Sequence, residues 1–281
     1  MTQSDKDMNI QHLKPDCSAC FGLCCVALYF SKQDGFPADK SAGTPCEQLN
    51  RQFRCAVHER LGALGLKGCR AYECFGAGQQ VSQVTFHGVS WRQQPEKAEV
   101  MFKAFLIMRQ LYESCWYLNE ALSFHAAAPV LKELQEALSQ SEAAANLPLQ
   151  DLLRFDLDGY HQHISGLLRK VSLLVRTEKS RTMKIKLAPQ SNGAPKDYLG
   201  KDLRKQNLRC ACLRGSCLIA ANLQGADLTG TDLLGADMRD ADIRGANLSE
   251  SLFLTQFQVN TARGDGNTKL PPSLSHPKHW A

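Results

Sequence analysis

Four cysteines stand within the nine residues CSACFGLCC, and four more follow before residue 75. Thiolates and imidazoles bind zinc and iron, and a pair of ligands close in sequence brings two donors to one ion at little cost in chain entropy. The candidate metal ligands, enough for two four-coordinate sites, are Cys17, Cys20, Cys24, Cys25, Cys46, Cys55, His58, Cys69 and Cys74. Their types and spacing predict a metal-binding segment over residues 15–92, which we call the cysteine module.

Two other interpretations of these cysteines compete with metal binding. Free cysteine is often buried as a small hydrophobic residue, and a secreted chain would pair its cysteines in disulfides. Eight glycines occur from Gly22 to Gly78, so we expect tight turns and little regular secondary structure here. Clustering in such a turn-rich segment favours a metal cage over both alternatives, although His58 could equally be a surface residue of a short helix.

The same segment resembles a family of zinc- or iron-chelating cysteine-rich domains. The resemblance covers residues 15–80 and rests on CSACFGLCC, PCEQL, FRCAVHERL and GCRAYECFGAG. It implies a close cysteine pair, a vicinal pair and four further cysteines around metal. Three residues separate Cys20 from Cys24 where the family pattern has two, so it stays open which of Cys24 and Cys25 faces the metal.

The start of the chain, MTQSDKDMNIQHLKPD, lacks the apolar stretch of a secretory signal, and the run FGLCCVALYF is too short to span a bilayer. We therefore expect a soluble, cytoplasmic protein. The reducing cytosol favours thiolates over disulfides. A formal net charge of +5 over 281 residues is mild and gives no argument for nucleic-acid binding.

A repeat of five residues runs through the C-terminal part, as in NLQGADLTGTDLLGADMRDADIRGANL. Its central column is a large apolar residue every five positions from Tyr198 to Phe253, and the residue two before it is mostly small. Period five matches neither an α-helix nor a strand, whereas a chain that turns a corner every five residues explains it. Four such corners would close a square coil of 20 residues, with Gly relaxing the corners.

This pattern resembles the pentapeptide-repeat family, which implies a right-handed quadrilateral β-helix over about residues 197–253. Some members of that family protect topoisomerases by imitating duplex DNA. Between residues 197 and 252 the chain carries eight acidic and seven basic residues. A mimic of the phosphate backbone should be strongly acidic, so the sequence disfavours this role.

The segment between the two patterns predicts helices. An apolar stripe begins after Pro95 and continues to about residue 124, a second helix covers about residues 128–143, and a third begins at Pro148. We expect these three helices to form an antiparallel bundle. The basic and then Pro/Gly-rich stretch that follows predicts a linker.

The predicted fold class is therefore multidomain α + β, with a metal-bound cysteine module, a three-helix bundle and a C-terminal right-handed quadrilateral β-helix. The predicted segments are a flexible N-terminus (1–14), the cysteine module (15–92), the helical bundle (93–176), a linker (177–196), the pentapeptide-repeat β-helix (197–257) and a C-terminal cap or tail (258–281).

The chain contains no phosphate-binding loop, no dinucleotide-binding glycine motif and no zinc-protease or serine-hydrolase motif. A metal cage filled by protein ligands leaves no open position for substrate. We therefore favour a non-enzymatic scaffold or interaction protein with a structural metal, without excluding an enzyme. The alternative is a metal-handling or iron–sulfur redox protein. Zinc is the expected cofactor and iron or an iron–sulfur cluster the alternative; the expected partner is another protein, with no nucleic acid or membrane, and a homodimer is left open.

Overall fold

A computed structural model describes residues 10–187 and 195–280 of the chain. Two compact units are present, Met1–Ser123 with Val130–Leu168 and Phe124–Pro129 with Arg169–Ala281. Most of the predicted flexible N-terminus (1–14) and the middle of the predicted linker (177–196) fall outside the described residues.

The cysteine module of the first unit contains only short helices, as its glycine content predicts. The α-helices are α1 (Leu23–Ala27), α2 (Lys67–Ala71) and α3 (Ala77–Gln79), and a π-helix, Gln80–Thr85, follows α3 directly. Single 3₁₀ turns lie at Gln11–Leu13, Cys17–Ala19, Lys32–Asp34 and His58–Arg60. The positions of the cysteines are thus set largely by turns and by packing on the longer helices.

The longer helices lie close to where the apolar stripes predict them. A 3₁₀ turn, Pro95–Lys97, leads into α4 (Ala98–Ser123), and a second, His125–Val130, precedes α5 (Leu131–Ala145). In the first unit α4 packs against α5 and buries side chains such as Phe105, Met108 and Leu118. These contacts supply the apolar core on which the cysteine module rests.

The third predicted helix is divided in the structure. It consists of α6 (Leu149–Leu152) and α7 (Leu157–Thr182). The carboxylate of Asp156 accepts a hydrogen bond of 3.0 Å from the backbone N–H of Gly159, which satisfies a free donor of the first turn of α7. The helix continues past residue 176, where the sequence predicted the linker to begin.

The predicted β-helix is wrong as a description of the C-terminal fold. Residues 195–280 contain no β-strand and no sheet; tight turns recur every five residues and are joined by isolated parallel bridges such as Asp202↔Asn222 and Asp227↔Asn247. A strand needs consecutive bridged residues, but each pentad leaves one bridged residue between successive turns. The architecture is therefore helical with a coil of turns over residues 197–253, which we call the repeat coil.

Backbone hydrogen bonds hold the repeat coil together along its axis. The N–H of Leu223 donates to the carbonyl of Asp242 at 2.8 Å, and the N–H of Leu228 donates to that of Asn247 at 2.9 Å. The interior is filled by the predicted apolar column, with side chains such as Leu218, Leu223 and Leu233 wholly buried. The small residues of the repeat, Ala221 among them, are buried beside them and leave room for the large ones.

The tail extends the hydrogen bonding of the last turn of the repeat coil. Helix α8 (Gln256–Thr261) begins at a capping box of Thr255 and Gln258. Beyond α8, Arg263 and Lys269 form bridges to Asp242 and Asn247. Trp280 packs on Gly264 and donates from its indole N–H to the carbonyl of Ala262 at 3.2 Å. The final coil is therefore covered by polypeptide rather than left as an open edge.

Asp242 predicts a measurable pH dependence of the repeat coil. Arg244 donates to its carboxylate from Nε at 2.9 Å and from Nη2 at 2.6 Å, and these hydrogen bonds lower the pKa of Asp242 to about 2. In the unfolded chain the pKa of Asp242 is about 3.9. The stability that the Asp242–Arg244 pair contributes is therefore present above that pH and is lost as the pH falls towards 2. We expect Asp242→Asn to destabilise the coil by about 1 kcal/mol at neutral pH.

Urea unfolding of wild type and Asp242→Asn across the acidic range checks this expectation. The difference in unfolding free energy should shrink between pH 5 and pH 2. A difference that stays constant over that range would show that the carboxylate does not stabilise the coil through its charge.

Candidate metal site

Helix α1 positions the vicinal cysteines. Gly22 precedes it with a positive φ of 66°, and Leu23 and Val26 are wholly buried where α1 packs against α4. Cys24 and Cys25 are half-buried on the remaining faces, with their sulfurs 4.0 Å apart. The hydrogen bond between the two sulfurs lowers the pKa of Cys25 and raises that of Cys24.

A first set of cysteines surrounds Cys25. The backbone N–H of Cys46 donates to the carbonyl of Cys25 at 2.9 Å, and an antiparallel bridge between Leu49 and Cys55 brings the next cysteine alongside. Burial raises the pKa of Cys69, which follows on α2, to about 12, and interactions with the thiolates of Cys25, Cys46 and Cys55 add to the shift. The four thiols are therefore near enough to interact electrostatically.

A second set of cysteines lies near Cys24. The turn that contains Cys17 packs against α3, and the sulfur of Cys20 lies so close to Gly78 that a Cβ there would be 2.7 Å away. Burial raises the pKa of Cys74 to about 12, with a smaller contribution from Cys20. Both Cys20 and Cys74 also act on Cys24.

Backbone N–H groups point at several of these sulfurs. Cys20 accepts from Gly22 and Leu23, and Cys74 accepts from Gly76 and Gly78. Cys46 and Cys55 accept from the N–H two residues later, at Gln48 and Val57. Such donors favour the charged form of a thiol, which is the form that ligates metal, but burial has the larger effect and raises the pKa of all four cysteines.

Two polar side chains next to the cysteines were not found from the sequence. The ammonium group of Lys40 donates to the carbonyls of Val26 and Leu28 and interacts electrostatically with Cys46, Cys25 and Cys24. The hydroxyl of Tyr72 is buried with no hydrogen-bond partner among the described residues, and it interacts with Cys24 and Cys74. An isolated lysine and tyrosine carry no sequence signal; only the folded arrangement brings them to the thiols.

The predicted ligands therefore assemble unequally. All eight cysteines of the module interact electrostatically with at least one other cysteine, whereas the side chain of His58 is 63% exposed and lies 3.8 Å from Glu59. Among residues 10–187 and 195–280, no three His, Cys, Asp or Glu side chains converge tightly enough to hold an ion. A surface cavity of about 570 Å³, lined in part by Lys40 and Cys46, opens beside the first set and offers an entry path.

Gly78 gives a prediction for the cysteine module. In Gly78→Ala the new methyl group would press on the Cys20 sulfur, which must then move, and we expect weaker metal retention and a loss of about 1–3 kcal/mol of stability. Gly62→Ala is the matched control, because a Cβ at Gly62 meets nothing within 4 Å. Chelator competition and thermal unfolding of both variants measure the effect; equal behaviour of the two would contradict it.

Comparison with known proteins finds a family that matches the repeats and a relative that matches nearly the whole chain. Residues 197–225 and 216–253 match the family described as pentapeptide repeats. The chain is 53% identical over 268 residues to the uncharacterized protein YybG of Bacillus subtilis (strain 168), covering 95% of each chain. No solved structure matches it. The resemblance of residues 15–80 to metal-chelating domains stays a prediction. In the part of the chain that the structure describes, no helix is both long and apolar enough to cross a membrane.

Proposed function

The chain belongs to the same protein family as YybG, and on that premise we propose that it is a non-enzymatic scaffold or protein-interaction protein whose cysteine module is held together by a structural metal. Pentapeptide repeats in its C-terminal part suggest the scaffold or interaction role. The metal-binding role is supported by the eight thiols of the module, which interact electrostatically with one another.

The repeat coil supports an interaction role because its interior is filled. Apolar side chains such as Leu218 and Leu228 are wholly buried along its axis, and within residues 197–253 the described side chains leave the axis no room for a substrate. Any recognition must therefore use the outer surface, where side chains repeat at a fixed spacing of five residues. A rigid, regularly spaced polar surface suits the binding of another protein.

The charge arrangement on the coil argues against imitation of DNA. Three of its acidic residues are paired with an arginine two positions later: Asp202 with Arg204, Asp237 with Arg239 and Asp242 with Arg244. Each pair is close to neutral at the surface, so these positions do not form the uninterrupted acidic ladder that a phosphate mimic needs.

Zinc is the cofactor we propose, because thiols are among its usual ligands in proteins. All eight residues are thiols, several sulfurs accept backbone N–H groups, and Tyr72 places an unpaired hydroxyl beside two of them. The ligands would come from the eight cysteines; His58 would have to turn inward to join them. Bound zinc would cross-link segments that have little regular structure of their own and so stabilise the module. Iron or an iron–sulfur cluster on the same thiols is the second candidate.

This role is consistent with a reducing cytoplasmic environment, where unpaired thiols persist. The twelve cysteines all lie in the described ranges, and none of them is in a disulfide there. The partner we propose is another protein, and self-association through the repeat coil remains an alternative to a different partner.

Elemental analysis and an absorbance spectrum of the full chain, purified without oxygen, test the metal-binding role. We expect zinc and a colourless protein. Bound iron with a visible sulfur-to-iron absorption band would favour the redox alternative instead. Folded protein with free thiols and no metal would overturn the proposed role of the module.

The interaction role has a separate test. Arg239 and Arg244 are exposed on the repeat coil. When both are changed to Glu, the full chain should no longer bind the partner proteins that it captures in cells of its source organism. Exchange of the exposed Leu199 for Ala is the control. Identical partners for all three proteins would show that this surface of the coil is not used.

A further inference from the structure

We infer that the open edge at the start of the repeat coil binds an extended acidic segment of a partner protein, through backbone hydrogen bonds and ion pairs. The edge belongs to residues 197–214, which we call the first layer; bridges such as Asp202↔Asn222 join it to the next layer. This inference rests on the proposed interaction function and deepens it, because it names the contact surface and the chemistry of the partner.

The first layer ends in backbone groups that have no partner. Inside the coil, the N–H of Asn222 donates to the carbonyl of Lys201, and the carbonyl of Asn222 accepts from the N–H of Leu203 in the layer before it. The equivalent residues of the first layer are Asp197, Asp202 and Cys212. In the part of the chain that the structure describes, none of their backbone N–H and C=O groups is hydrogen-bonded. An edge of free donors and acceptors therefore faces outward.

The opposite end of the coil shows what such groups bind. There the tail of the chain adds to the last layer: the N–H of Arg263 donates to the carbonyl of Ala241 at 2.8 Å, and the carbonyl of Arg263 accepts from the N–H of Ile243 at 2.8 Å. A polypeptide segment thus fits the spacing of the free groups at a layer edge. Addition of an extended peptide to an open edge is a recurring mode of recognition.

The charge of the first layer indicates an acidic partner. This layer carries five basic and two acidic residues, whereas residues 215–253 carry two basic and six acidic ones. The carboxylate of Asp202 is paired with Arg204, so it opposes an incoming acidic group only weakly. Three exposed cations of the layer form no ion pair within the described ranges; they are Lys201, Lys205 and Arg209. Acidic side chains of a bound segment would supply their missing partners.

Two other occupants fit this edge less well. A second copy that met the edge with its own first layer would place two basic layers against each other, and like charges repel. The phosphates of a nucleic acid would attract the lysines, but they only accept hydrogen bonds and would leave the free carbonyls of the edge without a donor. A polypeptide supplies donors and acceptors together.

The test is binding of a defined peptide to the full chain at physiological ionic strength. The probe is a short fluorescent peptide of alternating Glu and Val, which combines negative charge with a preference for extended backbone. The double variant Lys201→Glu with Lys205→Glu should bind it about tenfold more weakly than wild type. The control is Lys269→Glu with Lys278→Glu, which changes two exposed lysines outside the first layer and should bind like wild type.

Two further measurements address the backbone hydrogen bonds. The same peptide with every backbone nitrogen methylated keeps its charge but has no N–H donors, and we expect it not to bind. In amide exchange followed by NMR, the free N–H of Asp202 should exchange quickly and that of Asn222 slowly. The unmethylated peptide should slow exchange at Asp202 and leave Asn222 unchanged.

Several results would overturn the inference. These are no binding of the peptide by wild type, equal binding by the two double variants, equal binding of the methylated peptide, and slow exchange at Asp202 in the free chain, which would show that the edge is already covered. Tighter binding of duplex DNA or single-stranded RNA than of the peptide would identify a nucleic acid as the occupant. A wild-type dimer that is lost in Lys201→Glu with Lys205→Glu would identify a second copy.

The proposed interaction function is judged separately. Loss of cellular partners when Arg239 and Arg244 are changed to Glu would support that function even if the edge of the first layer binds nothing. Failure of both experiments would count against the interaction function itself.

Discussion

Removal of the metal is expected to unfold the cysteine module and to leave the repeat coil folded. The α-helices of the module have three to five residues each, far below the length at which a helix is stable alone. Structural zinc supplies about 10–16 kcal/mol of apparent binding free energy in small zinc-dependent folds. Hydrogen exchange with and without a strong chelator under anaerobic conditions measures the effect segment by segment.

The repeat coil provides the internal control for this experiment. Peptides from residues 197–253 should exchange at the same rate in both samples, because hydrogen bonds such as that from Leu223 to Asp242 involve no metal. Residues 15–92 should lose nearly all of their protection. Unchanged protection of the module after the metal has been removed would contradict the structural role.

Truncation of a coil leucine is expected to have the other large effect. Leu223 is wholly buried in the interior column, and Leu223→Ala should destabilise the coil by about 2–5 kcal/mol because it leaves a cavity between stacked turns. Every turn of the coil contacts only its neighbours. We therefore expect the loss of stability at Leu223 to weaken the adjoining turns and to make unfolding of the coil less cooperative. Urea unfolding followed by hydrogen exchange of coil peptides measures it.

Leu199→Ala is the matched control for this truncation. The same chemical change there removes a side chain that is 59% exposed, and surface changes of this kind usually stay within about 0.5 kcal/mol. Similar losses in the two variants would mean that the interior column does not carry the stability of the coil.

Much of the helical and repeat organisation could be predicted from the sequence because it depends on local periodicity. The stripe after Pro95 predicted α4, and the five-residue period predicted a chain that turns at regular intervals around a buried apolar column. Gly at the corners was also confirmed: Gly215 and Gly225 have φ of 63° and 64°. Such features are set by neighbours in sequence and need no knowledge of distant contacts.

The predicted β-helix failed for a reason that periodicity does not show. A period of five fixes where the chain turns but not how many consecutive residues pair with the next turn of the coil. The structure pairs one residue per side, as at Cys212↔Asp232, so no strand forms in the described part of the chain. The residues that follow each bridge form a turn that a side chain stabilises. At one such turn the Asp232 carboxylate accepts a hydrogen bond from the N–H of Leu234.

In the candidate site, too, some features follow from residues close in sequence and others depend on tertiary contacts. Clustering in sequence made the eight cysteines candidates, but it does not say which of them lie near one another, because Cys25 and Cys69 interact only through the fold. Spacing alone made His58 a candidate, yet the 3₁₀ turn at His58–Arg60 leaves its side chain largely exposed. Lys40 and Tyr72 depend wholly on tertiary contacts.

The central claim is that thiolates of the cysteine module bind metal, and X-ray absorption at the metal edge of the anaerobically purified chain tests it most directly. For zinc we predict about four sulfur ligands at about 2.3 Å, with no contribution from nitrogen or oxygen. The spectrum of Cys212→Ser should be identical to that of wild type. A first shell of nitrogen or oxygen ligands at about 2.0–2.1 Å would contradict the account, because it would place the metal outside the cysteine module.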